Sequence, residues 1–179
     1  MLFRSRSNSI FIGDDVRDKD AVASAVMIAE MAANAKAKGR TVLEQLEAIH
    51  REFGQYQERL ISITKKGRSG AQEIADMMTA LRNNPPKTLA GSPVIIAIDH
   101  SNSTQTDLRT GATSSTELPG SNVLQFITEA GDKVSARPSG TEPKIKFYFS
   151  VRTTTSESHA ATKAELERKI DTFIEELNL

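Results

Sequence analysis

The chain has 179 residues, with 23 Lys plus Arg against 23 Asp plus Glu, 38% apolar and 26% charged residues, and no cysteine. This is the composition of a soluble globular chain that can bury a core, and it excludes disulfides, thiolate catalysis and cysteine zinc sites. Balanced charge gives no global field toward nucleic acid or an anionic membrane, so any anion site must be local; no apolar run approaches the roughly 20 residues that span a bilayer.

Residues 1–9 are basic but are followed by no apolar stretch of signal-peptide length, and they read as a leader or a cut inside a loop. Asp18 suits the cap of a first helix with an apolar face of Val22, Ala25, Val26, Ala29 and Ala33, stopped by Lys36, Lys38 and Gly39. Thr41 and Glu44 form a capping-box pattern for a second helix that points Leu43, Leu46, Ile49 and Phe53 inward and ends at Gly54. The character then changes, which places a domain boundary between 54 and 55. Tyr56 to Ile63 reads as a strand, and a helix from Ser69, buried through Ile74, Met77, Met78 and Leu81, ends at Asn83-Asn84-Pro85-Pro86 because proline cannot continue the ladder.

Val94 to Ile98, Val123 to Ile127, Lys133 to Ala136 and Ile145 to Val151 follow as strands, with a hairpin turn at Glu129 to Asp132. The Ser/Thr/Gly-rich stretch from Asp99 to Asn122 reads as a surface excursion with one short strand at Thr113 to Leu118. A last helix, capped near Ser158 to Thr162, buries Leu166, Ile170, Phe173, Ile174 and Leu177. The expected fold class is α+β: a mostly antiparallel sheet of about four strands with two helices on one face, preceded by a helical remnant of another domain.

Ala136-Arg-Pro-Ser-Gly-Thr-Glu-Pro-Lys144 is the segment with the chemistry of an anion cradle. Arg137 offers a bidentate fork, Ser139 and Thr141 hydroxyl donors, Gly140 a turn of successive N–H groups toward one anion, and Lys144 a point charge at the rim. The same residues also suit a tight strand connection in which Arg137 pairs with Glu142, and residue types alone leave both readings open. Arg17-Asp-Lys-Asp20 reads either as a charged helix start, with the acids favourable to the dipole, or as a site for Lys19. His50, His100 and His159 have no metal-ligand spacing, and Met77 and Met78 lie on a core stripe.

Arg137-Pro-Ser-Gly-Thr-Glu-Pro143 followed by Lys144-Ile-Lys-Phe-Tyr148 resembles the phosphate-binding loop and following strand in the last domain of the α-D-phosphohexomutases, the phosphoglucomutase and phosphomannomutase family. Phe11-Ile-Gly-Asp-Asp-Val-Arg-Asp-Lys-Asp-Ala21 is similar to the segment after that family's sugar-binding loop, and Ser121-Asn-Val123 is also in its style. The resemblance thus runs from about Ile10 onward. It implies a four-domain enzyme whose phosphoserine, magnesium loop, sugar-binding loop and phosphate loop surround one cleft. That enzyme interconverts hexose 1- and 6-phosphates through a bisphosphate.

On the same basis, residues 10–54 are the C-terminal helices of the α/β domain that carries the sugar-binding loop, and 55–179 are the phosphate-binding domain. Arg137, Ser139, Gly140, Thr141 and Lys144 hold the substrate phosphate, and Lys19 faces the reaction centre. Mg2+ belongs to the parent enzyme and is bound outside this chain, which itself needs no cofactor or metal. The expected partners are a hexose phosphate and the missing N-terminal domains, with no nucleic acid or membrane, and the expected location is the cytoplasm. The sequence also departs from the family. Ser5, Arg6 and Ser7 stand where paired glutamates and a serine should read the sugar, and there is no Thr-Ala-Ser-His-Asn-Pro nucleophile segment and no Asp-rich metal loop. The chain alone is therefore expected to be inactive. The alternatives are a stand-alone non-catalytic phosphate-binding module, or part of a phosphoglucosamine mutase, which shares the loop, or of a phosphopentomutase.

Overall fold

The computed structural model describes residues 20–153 and 159–179, and the chain divides into the units Met1–Phe53 and Gly54–Leu179. In the first unit, α1 (Ala21–Ala37) is capped by Asp20 rather than Asp18, because the Asp20 carboxylate accepts the Ala23 N–H at 2.9 Å. The helix stops where Gly39 takes φ +67, which lets the Gly39 and Arg40 N–H groups return to the Lys36 and Ala35 carbonyls. The capping box before α2 (Val42–Phe53) is formed: the Thr41 N–H donates to the Glu44 carboxylate at 2.6 Å and the Glu44 N–H to the Thr41 hydroxyl at 3.2 Å. The expected inward faces are not buried. Val22 and Phe53 are 78% and 65% exposed, and no residue of α2 is buried. The described part of this unit is a helix pair, and two helices cover only the seam between them.

The second unit runs β1 (Gln55–Thr64), α3 (Gly67–Asn83), β2 (Thr88–Leu89), β3 (Ser92–Asp99), β4 (Thr104–Asp107), β5 (Thr113–Ser115), β6 (Leu124–Thr128), β7 (Lys133–Pro138), β8 (Lys144–Thr153) and α4 (His159–Glu176). The sheet is antiparallel and ordered β1-β8-β7-β6-β3-β4-β5, with β2 on β3. The fold is α+β as expected, but the sheet has eight strands, not about four. Those the sequence hid are the short β2 and the polar β4, Thr-Gln-Thr-Asp, which lacks the apolar alternation that marks a strand. Helix α3 begins at Gly67 instead of Ser69, without a side-chain cap. The cap expected at Ser158 lies outside the described residues, and Thr162 is buried in the first turn of α4.

Strict alternation along β8 decides which face is covered. Ile145, Phe147, Phe149 and Val151 are buried against Ile74 and Met78 of α3 and Leu166, Ile170 and Phe173 of α4, whereas Lys144, Lys146, Tyr148 and Ser150 stay half-exposed on the other face. Each of these large side chains contributes roughly 1.5–3 kcal/mol by burial. Phe149 and Phe173 meet edge to face with centroids 6.4 Å apart. At the β6–β7 turn Gly131 has φ +82, and a Cβ there would lie 2.4 Å from the Arg152 guanidinium. The turn is locked from beneath by Asp132, fully buried, whose carboxylate accepts the Arg152 N–H at 3.0 Å and pairs with Lys169 Nζ of α4 at 2.5 Å.

Removing one partner of a buried pair strands the other charge. Lys169→Met should therefore cost on the order of 3 kcal/mol of stability by urea unfolding followed by circular dichroism. A loss below about 0.5 kcal/mol, the size of an ordinary surface substitution, would mean that the backbone donor alone satisfies the carboxylate.

Candidate phosphate-binding site

The loop between β7 and β8 is short and closed on itself. The Ser139 N–H donates to the Lys144 carbonyl at 2.7 Å and the Lys144 N–H to the Glu142 carbonyl at 2.8 Å. The Pro143 carbonyl accepts the Lys65 N–H at 2.9 Å, which fastens the loop to the connection between β1 and α3. Within this frame three consecutive N–H groups are poorly used. Those of Thr141 and Glu142 reach the Ser139 hydroxyl only at 3.4 Å, and that of Gly140 has no partner among the described residues. Successive amides of this kind form a cradle for an anion.

The cations stand beside it. Arg137 of β7 and Lys146 of β8 are register partners on the open face, and neither side chain has a hydrogen bond or an ion pair among the described residues. Like charges directly opposite on adjacent strands repel, so this pair costs stability in the free protein. Glu142 does not pair with Arg137, as the plain-connection reading requires; its carboxylate is 3.8 Å from Lys144 Nζ. Lys144 is thus partly engaged within the loop. The φ of Gly140 is not in the left-handed region, and a Cβ there would meet nothing within 4 Å. Neither the turn nor the chain's own packing needs a glycine at this position.

On the flank toward α3 the loop roofs a cleft of about 340 Å³ walled by Ala71, Ile74, Ala75 and Met78, with Asn122 at its edge. Asn122 is tied to α3: its Oδ1 accepts from Arg82 Nη2, and Arg82 Nε donates to Asp99 at 2.9 Å. Burial alone would raise the Asp99 pKa, but bonds from the Ser101 hydroxyl and N–H and from Arg82 overcome it and hold the carboxyl below its ordinary value. A larger hollow of about 570 Å³ lies by α2 among Arg40, Glu44, Arg51 and Glu52, where mixed charges balance and no candidate residue stands. His100 is buried with its ring 3.3 Å from Gln125 Oε1. Among the described residues no cluster of histidines and carboxylates could hold a metal ion, and no helix is long and apolar enough to cross a membrane.

The structure therefore brings Arg137, Ser139, Gly140, Thr141 and Lys144 to one loop and adds Lys146, Asn122 and Arg82. Lys146 was legible as a residue two positions after Lys144 on the same strand face, but its pairing with Arg137 depends on register. Lys19 lies outside the described residues.

No family model matches the chain. Its sequence is 41% identical over 139 residues to a probable phosphomannomutase of Haemophilus influenzae, covering 78% of this chain and 25% of that protein. It is 36% identical over 151 residues to a phosphoglucomutase of Staphylococcus haemolyticus, covering 84% of this chain and 27% of that one. The solved open form of Paramecium parafusin, a phosphoglucomutase, matches 92% of this chain and 28% of its own with a TM-score of 0.57 and 18% identity, a likeness of fold. The chain is a partial relative of the phosphohexomutases, and spans about a quarter of the length of the curated relatives it matches. Within that class it aligns with proteins named phosphomannomutase and phosphoglucomutase.

The repulsion between register partners gives a direct test. Lys146→Gln should raise stability by roughly 0.5 kcal/mol in low salt, and the gain should shrink in about 1 M NaCl as the charges are screened. A loss of stability in low salt would show that Lys146 has a cohesive role in the free protein.

Proposed function

We propose that this chain is the C-terminal, phosphate-anchoring part of a cytoplasmic phosphohexomutase that interconverts hexose 1-phosphate and 6-phosphate through an enzyme phosphoserine and a bisphosphate intermediate. The observation that carries the proposal is the closed loop with three underused N–H groups beside Arg137 and Lys146. Its motif and the names of the matching relatives point the same way. A bisphosphate that turns over between two half-reactions needs a second, non-reacting phosphate held still. Positioning and charge neutralisation dominate phosphoryl transfer, so an anchor contributes through geometry rather than chemistry of its own.

In this reading Arg137 forks two phosphoryl oxygens, Lys146 and Lys144 balance the dianion, and Ser139, Gly140 and Thr141 supply the donors of the loop. Lys19 is assigned to the reaction centre, where it steadies the transferring group. Magnesium, which the resemblance implies, would neutralise the transferring phosphoryl group when bound; the described residues offer no set of ligands for it, and its site is assigned to another part of the enzyme. The rest of the enzyme is also the proposed partner. The exposed Val22, Val26, Ile28, Leu43 and Phe53 of α1 and α2 are the kind of apolar surface that a folded protein covers. With no nucleophile segment in the sequence, the chain by itself should not turn over glucose 1-phosphate.

Titrating isotope-labelled chain with glucose 1-phosphate should give saturable amide shifts centred on Ser139 to Thr141. Arg137→Ala should weaken that binding roughly ten- to hundredfold, the value of a lost charge-assisted bond, without lowering the melting temperature. Absence of shifts at millimolar ester, or equal affinity in the variant, would remove the assignment.

Gly140→Ala separates ligand approach from folding. It should leave stability unchanged, since the added methyl meets open space, and should weaken binding of the ester. Unaltered affinity would place the ligand away from the loop backbone.

A further inference from the structure

Asn122 is an exposed residue that the fold nevertheless holds in one orientation. Amide oxygen and nitrogen are interchangeable in shape, but a guanidinium can only donate, so the oxygen must face Arg82 and the NH₂ must face away. Arg82 is itself held by Asp99, and Asp99 by Ser101, whose hydroxyl donates at 2.7 Å and whose N–H donates at 2.9 Å. The end of α3, the end of β3 and the segment before β6 thus converge on one side chain. Arg82 and Asp99 are part-buried and satisfy each other, but the bond to Asn122 is exposed and contributes little to folding, so stability is a poor reason for extending the chain of contacts to it. Its outcome is an amide whose acceptor is taken and whose donors have no partner among the described residues, at the edge of the cleft that Ser139, Gly140 and Thr141 also line.

We propose that Asn122 is a further phosphate-contacting residue, a neutral donor that meets the phosphoryl group from the flank opposite Arg137 and Lys146. The proposal rests on the phosphate-anchor reading above. The loop stands at the end of the sheet with its cations on the open face and Asn122 on the side of α3, so a phosphoryl group at the loop is approached from both flanks. A phosphoryl group offers several acceptor oxygens, and a fork on one flank cannot serve them all. An amide on the second flank adds donors without adding a further charge to a site where Arg137 and Lys146 already repel.

The test measures the affinity of the 179-residue chain for inorganic phosphate by amide shifts, alongside glucose 1-phosphate and the melting temperature. Asn122→Ala, which removes the donor, should weaken phosphate binding about fivefold or more. Asn122→Asp, which still accepts from Arg82 but presents oxygen in place of NH₂, should weaken it more, and the loss should persist in about 0.5 M NaCl, where an effect of charge at a distance is screened. Both variants should melt with the wild type.

Wild-type affinity in Asn122→Ala would overturn the proposal, as would a loss in Asn122→Asp that salt abolishes. A loss confined to glucose 1-phosphate would overturn it too, by assigning Asn122 to the sugar. If Asn122→Ala lowers the melting temperature, Asn122→Asp in high salt decides: retained affinity there means that Asn122 only braces Arg82. Arg137→Ala keeps the two readings apart. If it weakens phosphate while the Asn122 variants do not, only the Asn122 assignment falls, whereas no phosphate binding by the wild type removes the anchor and the Asn122 assignment together.

Discussion

The register between β7 and β8 is the constraint from which the rest of the candidate site follows. Strand β8 is fixed on both sides, by ten residue pairs with β1 and six with β7. A slip of one residue would turn Ile145, Phe147, Phe149 and Val151 out of the core and bury Lys144, Lys146 and Tyr148, at a cost of many kcal/mol. The hydrophobic demand of one face thereby dictates the electrostatics of the other. Arg137 and Lys146 are neighbours because Ala136 and Phe147 are. The core needs those apolar partners, and the adjacent positions inherit their spacing.

The two ends of the sheet treat charge differently. At the β6–β7 turn, the buried Asp132 has its cation and its backbone donor. At the β7–β8 loop, Glu142 stands near Lys144, Arg137 and Lys146 have no ion pair among the described residues, and the amide hydrogens of the loop are weakly occupied. Folding alone would favour a neutral residue at 146. A lysine there, beside a glycine the backbone does not need, accords with the proposed phosphate anchor, at which stability would be traded for an anion.

How far the sequence could be read depended on where apolar alternation was strong. The strands of the core, the three helix-ending signals and the capping box at Thr41 and Glu44 follow from local pattern and were legible. The β4–β5 extension was only half visible, since Thr-Gln-Thr-Asp carries no alternation and is a strand because β3 offers it an edge. The faces of α1 and α2 read as inward in the sequence because periodicity reports which residues want cover, not whether a covering surface is at hand. Within the loop, residue types gave the donors, but the unused amides, the Lys146 pairing and the Arg82–Asn122 bond belong to tertiary structure, which no short motif encodes.

The closure of the loop also has a consequence for entropy. Five residues, 139–143, are cross-bonded at their base and tied through Pro143 to Lys65. Such a loop has little conformational freedom left to surrender when a ligand arrives, whereas an open loop of that length would give up on the order of 1 kcal/mol or more for each residue it ordered. The electrostatic attraction of the cations should therefore appear almost undiminished as affinity. A rigid cradle of this kind would also release its ligand without refolding, which suits the proposed bisphosphate, a group that would be gripped, let go and gripped again by its other end.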